Sequence, residues 1–238
     1  MSKEKDLSEM QAYRFRSDNG LTPIEPIHVK SLLRKLGIHT FYRPLSEYAY
    51  GLSVKSPDGK MFILVNSNTS RGRQHFTIAH ELYHLFFDEE AKPHLCHDEN
   101  GNKAAAERKA DLFASNFLLP RLGVLNIIPE HEWHNNVSVA TILRLEQYYQ
   151  VSHRQLLIRL QELGILDKGK FEEYAHIGIK QCARAYGYDL SLYEKGNNGT
   201  TISDFGEKAR LLFERERISE GHYLELLSMI GINGTESE

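Results

Sequence analysis

The sequence predicts an α+β fold: a small β-sheet, a helix bearing two histidines, and a helical C-terminal region. Three observations predict it. Residues 50–66, YGLSVKSPDGKMFILVN, set two β-rich runs on either side of Ser56-Pro57-Asp58-Gly59. Residues 76–87, FTIAHELYHLFF, combine helical spacing of apolar side chains with three ionisable ones. Beyond residue 138 the chain alternates capped, apolar-striped helical segments with short polar turns. Ionisable groups on consecutive turns of a buried helix cost free energy to desolvate unless something satisfies them.

Taken in order, residues 1–22 are polar and charged and read as a loosely held lead-in or short helix. Residues 23–37 space Ile27, Leu32, Leu33 and Leu36 as one helical face, with Gly37 as the stop. In the hairpin that follows, proline presets the turn and Gly59 is free to take positive φ. Its second strand, residues 61–66, is strongly apolar. It either presents an edge on which an extended peptide pairs or lies inside the sheet. Two helices are expected at roughly 74–88 and 103–119, joined by the polar loop PHLCHDENGN, with Pro120 barring continuation of the second. Residues 138–166 read as two more helices, with Ser138 as an N-cap, Ser152 and Gln155 as a capping box and Gly164 as a C-terminal stop. The loop EKGNNGT near 194–200 precedes a closing helical pair. The apolar stripes of that pair, Ala209, Leu212, Phe213, Leu226, Leu227 and Ile230, are expected to be core. Tyr148, Tyr149 and Trp133 are expected to pack.

At 238 residues and 41% hydrophobic content the chain can bury a real core, as one large domain or two small ones. A net charge of -3 offers no global electrostatic case for nucleic acid or an anionic membrane. Two cysteines, Cys96 and Cys182, outside any CxxC pair favour a reducing compartment. The first twenty residues lack the apolar segment of a signal peptide, and no apolar run approaches the ~20 residues of a membrane-spanning helix. A soluble, cytoplasmic chain is expected.

His80-Glu81-Leu82-Tyr83-His84 is an HExxH motif. Residues four apart on a helix lie about 40° apart around its axis, so both imidazoles project from one face and converge on one ion. Glu81 falls on the adjoining flank, placed to address water at the metal without ligating it. Ile78, Leu82, Leu85 and Phe86 take the opposite side. A catalytic zinc site wants three protein ligands and an open position. Glu107 on the next helix would supply the third ligand. Asp111, four residues on, would accept a hydrogen bond from the outer N–H of a ligand histidine. The small residues Ala110 and Ala114 would let the two helices approach closely. His94, Cys96 and His97 could make a second site, but their irregular spacing in a polar stretch favours a solvated loop.

With "RQHFTIAHELYHLFF" followed by "ERKADLFASNFLLP", the sequence resembles the ImmA/IrrE-type zinc metallo-endopeptidases. The resemblance extends back to "YGLSV…ILVN" and on to "YYQVSHRQLLIRLQELGIL", most of residues 23–166. It implies a zincin-like domain in which His80, His84 and Glu107 match the zinc ligands and Glu81 the catalytic glutamate. It also implies a protein substrate, since the family's known substrates are helix-turn-helix repressors. Tyr83 stands where family members often have glycine; helical geometry aims it away from the metal face, toward packing. The family's usual extra histidine one turn after the motif is Asp88 here, which removes any role for that imidazole.

The expected organisation is a lead-in (1–22), a metallopeptidase domain (23–125), a helix-turn-helix-like module (126–170) and a C-terminal helical region (171–238). In the module, Arg144, Arg154 and Arg159 are offset by Glu146 and Glu162. A DNA-reading element shows a clearer basic excess, so direct DNA binding ranks behind packing on the peptidase or docking a repressor. The rival reading is a transcriptional regulator or binding module with a structural or vestigial metal site. An intact Glu81 speaks against it, since a structural site has no use for a base beside the metal.

Overall fold

The computed structural model describes residues 3–88, 96–97 and 105–231. In chain order the elements are α1 (Lys3–Asp18), α2 (Val29–Lys35), β1 (Ile38–Arg43), β2 (Ala49–Lys55), β3 (Met61–Asn66), α3 (Arg71–Phe87), β4 (Cys96–His97), α4 (Ala105–Leu118) and α5 (Arg121–Ile127). They continue with α6 (Val139–Tyr149), α7 (His153–Glu162), α8 (Lys168–Ala175), α9 (Ile179–Ala185), β5 (Thr201–Ile202), α10 (Phe205–Glu214) and α11 (Glu220–Met229).

The sheet runs β4-β2-β3-β1-β5. β2 and β3 form the expected antiparallel hairpin, closed by Gly59 N–H to Ser56 O at 2.9 Å with Gly59 at φ +84°. β1, which the sequence pattern did not suggest, pairs in parallel with β3 over its whole length. β3 is therefore interior, and of its two readings the edge for a peptide falls away. The edges are two-residue strands: β5 against β1, and β4 against β2 at Ala49 and Gly51. The stretch expected as a wholly solvated loop thus contributes Cys96–His97 to the sheet, because β2 offers backbone groups that a passing chain can pair. His94 lies outside the described residues.

α3 begins one turn before the expected start because Ser70 caps it, accepting from Arg73 N–H at 3.4 Å. Twelve of its residues are buried between the sheet and α4. Ile78, Leu82 and Leu85 lie in the core as expected, whereas Phe86 is 38% exposed. Ala110 and Ala114 of α4 are fully buried where that helix packs along α3. Tyr83 stacks on Phe87 and meets Phe113, so it packs as expected, but it is not wholly turned from the ligand side: its ring also meets the edge of His84 at 5.8 Å.

The first segment is not loosely held. α1 packs on α4, Phe15 joins a ring cluster with Phe86, Phe87, Phe113 and Phe117, and Arg16 is buried to 2%. Ser138 caps α6 as expected, accepting from Thr141 N–H, and Ser152 caps α7, accepting from Gln155 N–H, the serine half of the expected capping box. The turn between them is pressed on the start of α3, where a Cβ on Gly72 would meet Ser152 N at 2.6 Å. Tyr149 is buried, its hydroxyl donating to Ile24 O at 2.8 Å, while Tyr148 is largely exposed. The apolar stripes of the closing pair are a correction. Among them only Ala209 is buried in α10 and nothing is buried in α11. Leu212 and Phe213 stay 42% and 36% exposed, because the two helices pack mainly on each other, through a Phe213–Tyr223 stack. Among the described residues, no helix is long and apolar enough to cross a membrane.

Candidate metal centre

α3 and α4 bring His80, His84 and Glu107 together. The two Nε2 atoms are 3.2 Å apart, with Glu107 Oε2 3.3 Å from His80 Nε2 and Glu107 Oε1 3.3 Å from His84 Nε2. Ligand bonds of about 2.0–2.1 Å in a tetrahedral shell put donors about 3.3 Å apart; the two Nε2 atoms have that separation, and the Glu107 carboxylate straddles them with one oxygen toward each. The other nitrogens are committed outward. His80 Nδ1 is 3.0 Å from Asp111 Oδ1 and His84 Nδ1 2.9 Å from Asp88 Oδ2. With each Nδ1–H donating to a carboxylate, both Nε2 lone pairs face inward, and two such lone pairs need a proton or a cation between them. The residues present fit a divalent metal. Among the described residues no other group of His, Cys, Asp or Glu is close enough to hold one.

Glu81 is 1% exposed, and its Oε1 is buried with no hydrogen-bond partner. It lies under β2, where a Cβ on Gly51 would sit 3.1 Å from that oxygen, 3.1 Å from Leu64 O and 2.5 Å from Thr77 Cγ2. The absent side chain of Gly51 is what lets β2 close over α3, an approach that no local pattern in the sequence marks. Gly51→Ala is expected to cost about 1–3 kcal/mol through overpacking and to displace Glu81; urea unfolding together with metal titration would read both effects. Asp88 likewise brings a carboxylate to the site, and its signal in the sequence is the His84-to-Asp88 spacing, the same four residues that relate Glu107 to Asp111.

In the metal-free chain burial opposes a charged imidazole at His80, but hydrogen bonds to Asp111 and Glu107, with the charges of Glu81 and Asp111, prevail and push it up to about 9. A raised folded-state value means stability that is fully present below the ordinary 6.5 and lost as pH rises through about 9. Metal must displace the same proton. Affinity is therefore expected to rise with pH and level off above about 9. Calorimetry at pH 7 in buffers of different ionisation enthalpy should find roughly one proton released on metal uptake.

Two helices that bring His80, His84 and Glu107 together against a small mixed sheet, with a buried carboxylate next in sequence to His80, form a candidate metal centre. Residues 33–161 match the Peptidase M78 family, described as the IrrE N-terminal-like domain. This is more than half of the chain, and the chain belongs to that family. Among curated proteins none matches. Among solved structures, a Mycobacterium tuberculosis transcriptional regulator is similar at 20% identity and a TM-score of 0.45, over 65% of this chain. The chain spans 46% of that protein.

Proposed function

We propose that this chain is a zinc-dependent endopeptidase that cuts a specific intracellular regulator, a helix-turn-helix repressor being the substrate class. The observation that carries the reading is the convergence of His80, His84 and Glu107 together with a buried Glu81 whose Oε1 has no hydrogen-bond partner. Zinc suits this mixed imidazole and carboxylate set and, when bound, would polarise the scissile carbonyl and acidify water. Glu81 takes the proton of the attacking water and hands it to the departing amine. Asp111 holds His80 in the tautomer that donates from Nδ1.

The substrate enters as an extended segment along β2 rather than β3. Beyond Gly51, β2 has no outer partner among the described residues. Its Ser53–Lys55 end and the hairpin turn face His84, Leu85 and Asp88 across a cleft of about 460 Å³. Pairing there would supply backbone hydrogen bonds independent of side-chain identity.

The α6–α7 pair docks protein rather than duplex DNA. Five residues of α7 are buried, and Arg159 is spent internally on Leu119 O, Asn116 Oδ1 and Glu162. A recognition helix keeps such a face free for the major groove. The test is to incubate the purified chain with the repressor encoded beside it, with and without chelator. A single cut lost on chelation is the expected result. Sequence-specific duplex binding that survives metal removal, with no cleavage, would favour a regulator instead.

A further inference from the structure

We infer that Asp88 is the positioning residue of His84, an anionic clamp through which the HExxH helix orients its own second ligand. This inference rests on the metal-centre reading above. α3 ends at Phe87, and Asp88 leaves the helix in an extended conformation, φ −97° and ψ 103°. From that exit its carboxylate folds back one turn onto His84 Nδ1 at 2.9 Å. The arrangement mirrors Asp111 on His80, with a different origin: one carboxylate comes from the facing helix and the other from the ligand helix itself.

Of the two clamps, that of His84 is the more enclosed. The His84 and Asp88 side chains are 1% and 16% exposed, against 7% and 32% for His80 and Asp111. A hydrogen bond to an anion gains strength as water is excluded from it. Asp88 therefore keeps the proton on Nδ1, aims the Nε2 lone pair at Glu107, and makes the imidazole a stronger donor to a cation.

The test uses the full chain, with Zn2+ affinity measured by chelator competition and the His84 tautomer read from 15N shifts of the ring. Asp88→Ala is expected to weaken Zn2+ by about 10- to 100-fold and to let His84 populate both neutral tautomers. Asp88→Asn keeps an oxygen that can accept from Nδ1–H, so the tautomer should hold while affinity falls by less than in Asp88→Ala. A role in folding alone would move neither the tautomer nor the order of the two variants. If both variants bind Zn2+ within twofold of the unaltered chain, with His84 unchanged, the positioning role is overturned. Should Asp88→Ala fail to fold, Asp88→Asn decides alone: unaltered affinity overturns the role, and a loss with the tautomer kept supports it. Failure of the unaltered chain to bind Zn2+ would instead remove the metallopeptidase reading itself.

Discussion

Glu81→Gln is expected to slow peptide hydrolysis by about 10²- to 10⁴-fold while zinc affinity stays that of the unaltered chain. Glutamine has the shape of glutamate but cannot take a proton from water. Glu81 is not one of the three converging donors, so nothing in the metal's immediate grip changes. The side chain is 1% exposed and Oε1 has no partner, and a neutral amide is cheaper to bury than a carboxylate. Thermal stability should therefore hold or rise. Turnover of the cleaved repressor, with metal content measured on the same sample, separates the outcomes. Loss of metal along with rate would place Glu81 among the ligands and remove it as the base.

Arg16→Ala is expected to be the most destabilising single change outside the site, at about 3–5 kcal/mol from unsatisfied carbonyls and lost packing, lowering the thermal midpoint by roughly 10 °C. The guanidinium donates to Phe117 O from Nε at 2.8 Å and from Nη2 at 2.6 Å. Its Nη1 donates to Thr22 O at 2.7 Å and Glu25 O at 2.9 Å. Burial draws its pKa down to about 10, which leaves it charged at neutral pH. Phe117 lies in the last turn of α4, where carbonyls lack helical partners and the helix dipole favours a cation. Alanine would leave three buried or half-buried carbonyls unanswered and an empty volume beside the Phe15 cluster. Lysine, a point charge without the fork, should recover little. Urea denaturation of both variants is the measurement, and a shift under 1 kcal/mol for Arg16→Ala would show that water replaces the lost bonds.

These two residues mark opposite ends of what a sequence discloses. Glu81 was legible because its neighbours in chemistry are its neighbours along the chain. His80 and His84, and again Glu107 and Asp111, are one helical turn apart, and helical period alone puts each pair on one face. The hairpin turn at Ser56–Gly59 and the caps Ser138 and Ser152 were legible for the same reason, since each closes a hydrogen bond within a few residues. Arg16 was not, because its partner carbonyl at Phe117 is 101 positions away and nothing local tells a buried arginine from a solvated one. Asp88 sits between the two cases: the four-residue spacing from His84 is local, but Asp88 lies just past the helix end, where the backbone exit rather than helical period returns its carboxylate to the imidazole.

The C-terminal stripes teach the converse. Leu212 and Phe213 have the spacing of core residues yet remain substantially exposed, because periodicity states which side chains share a face and not whether another element covers it. The sheet carries the same limit. Alternation predicts a strand, as at residues 61–66, but whether it is edge or interior depended on β1, a segment whose parallel partner lies beyond the whole of β2.

By itself, then, the sequence marked the His80–His84 pair, the Glu107–Asp111 pair, the hairpin turn and the N-caps Ser138 and Ser152, all set by spacings or bonds that span about one turn or less. Tertiary structure alone decided the strand order, the burial of α1 through Arg16, the seating of the α6–α7 turn on α3 and the enclosure of His84 by Asp88. Those depend on surfaces that meet only after distant segments have collapsed together, and their free energy comes from excluding water between partners that no local spacing records.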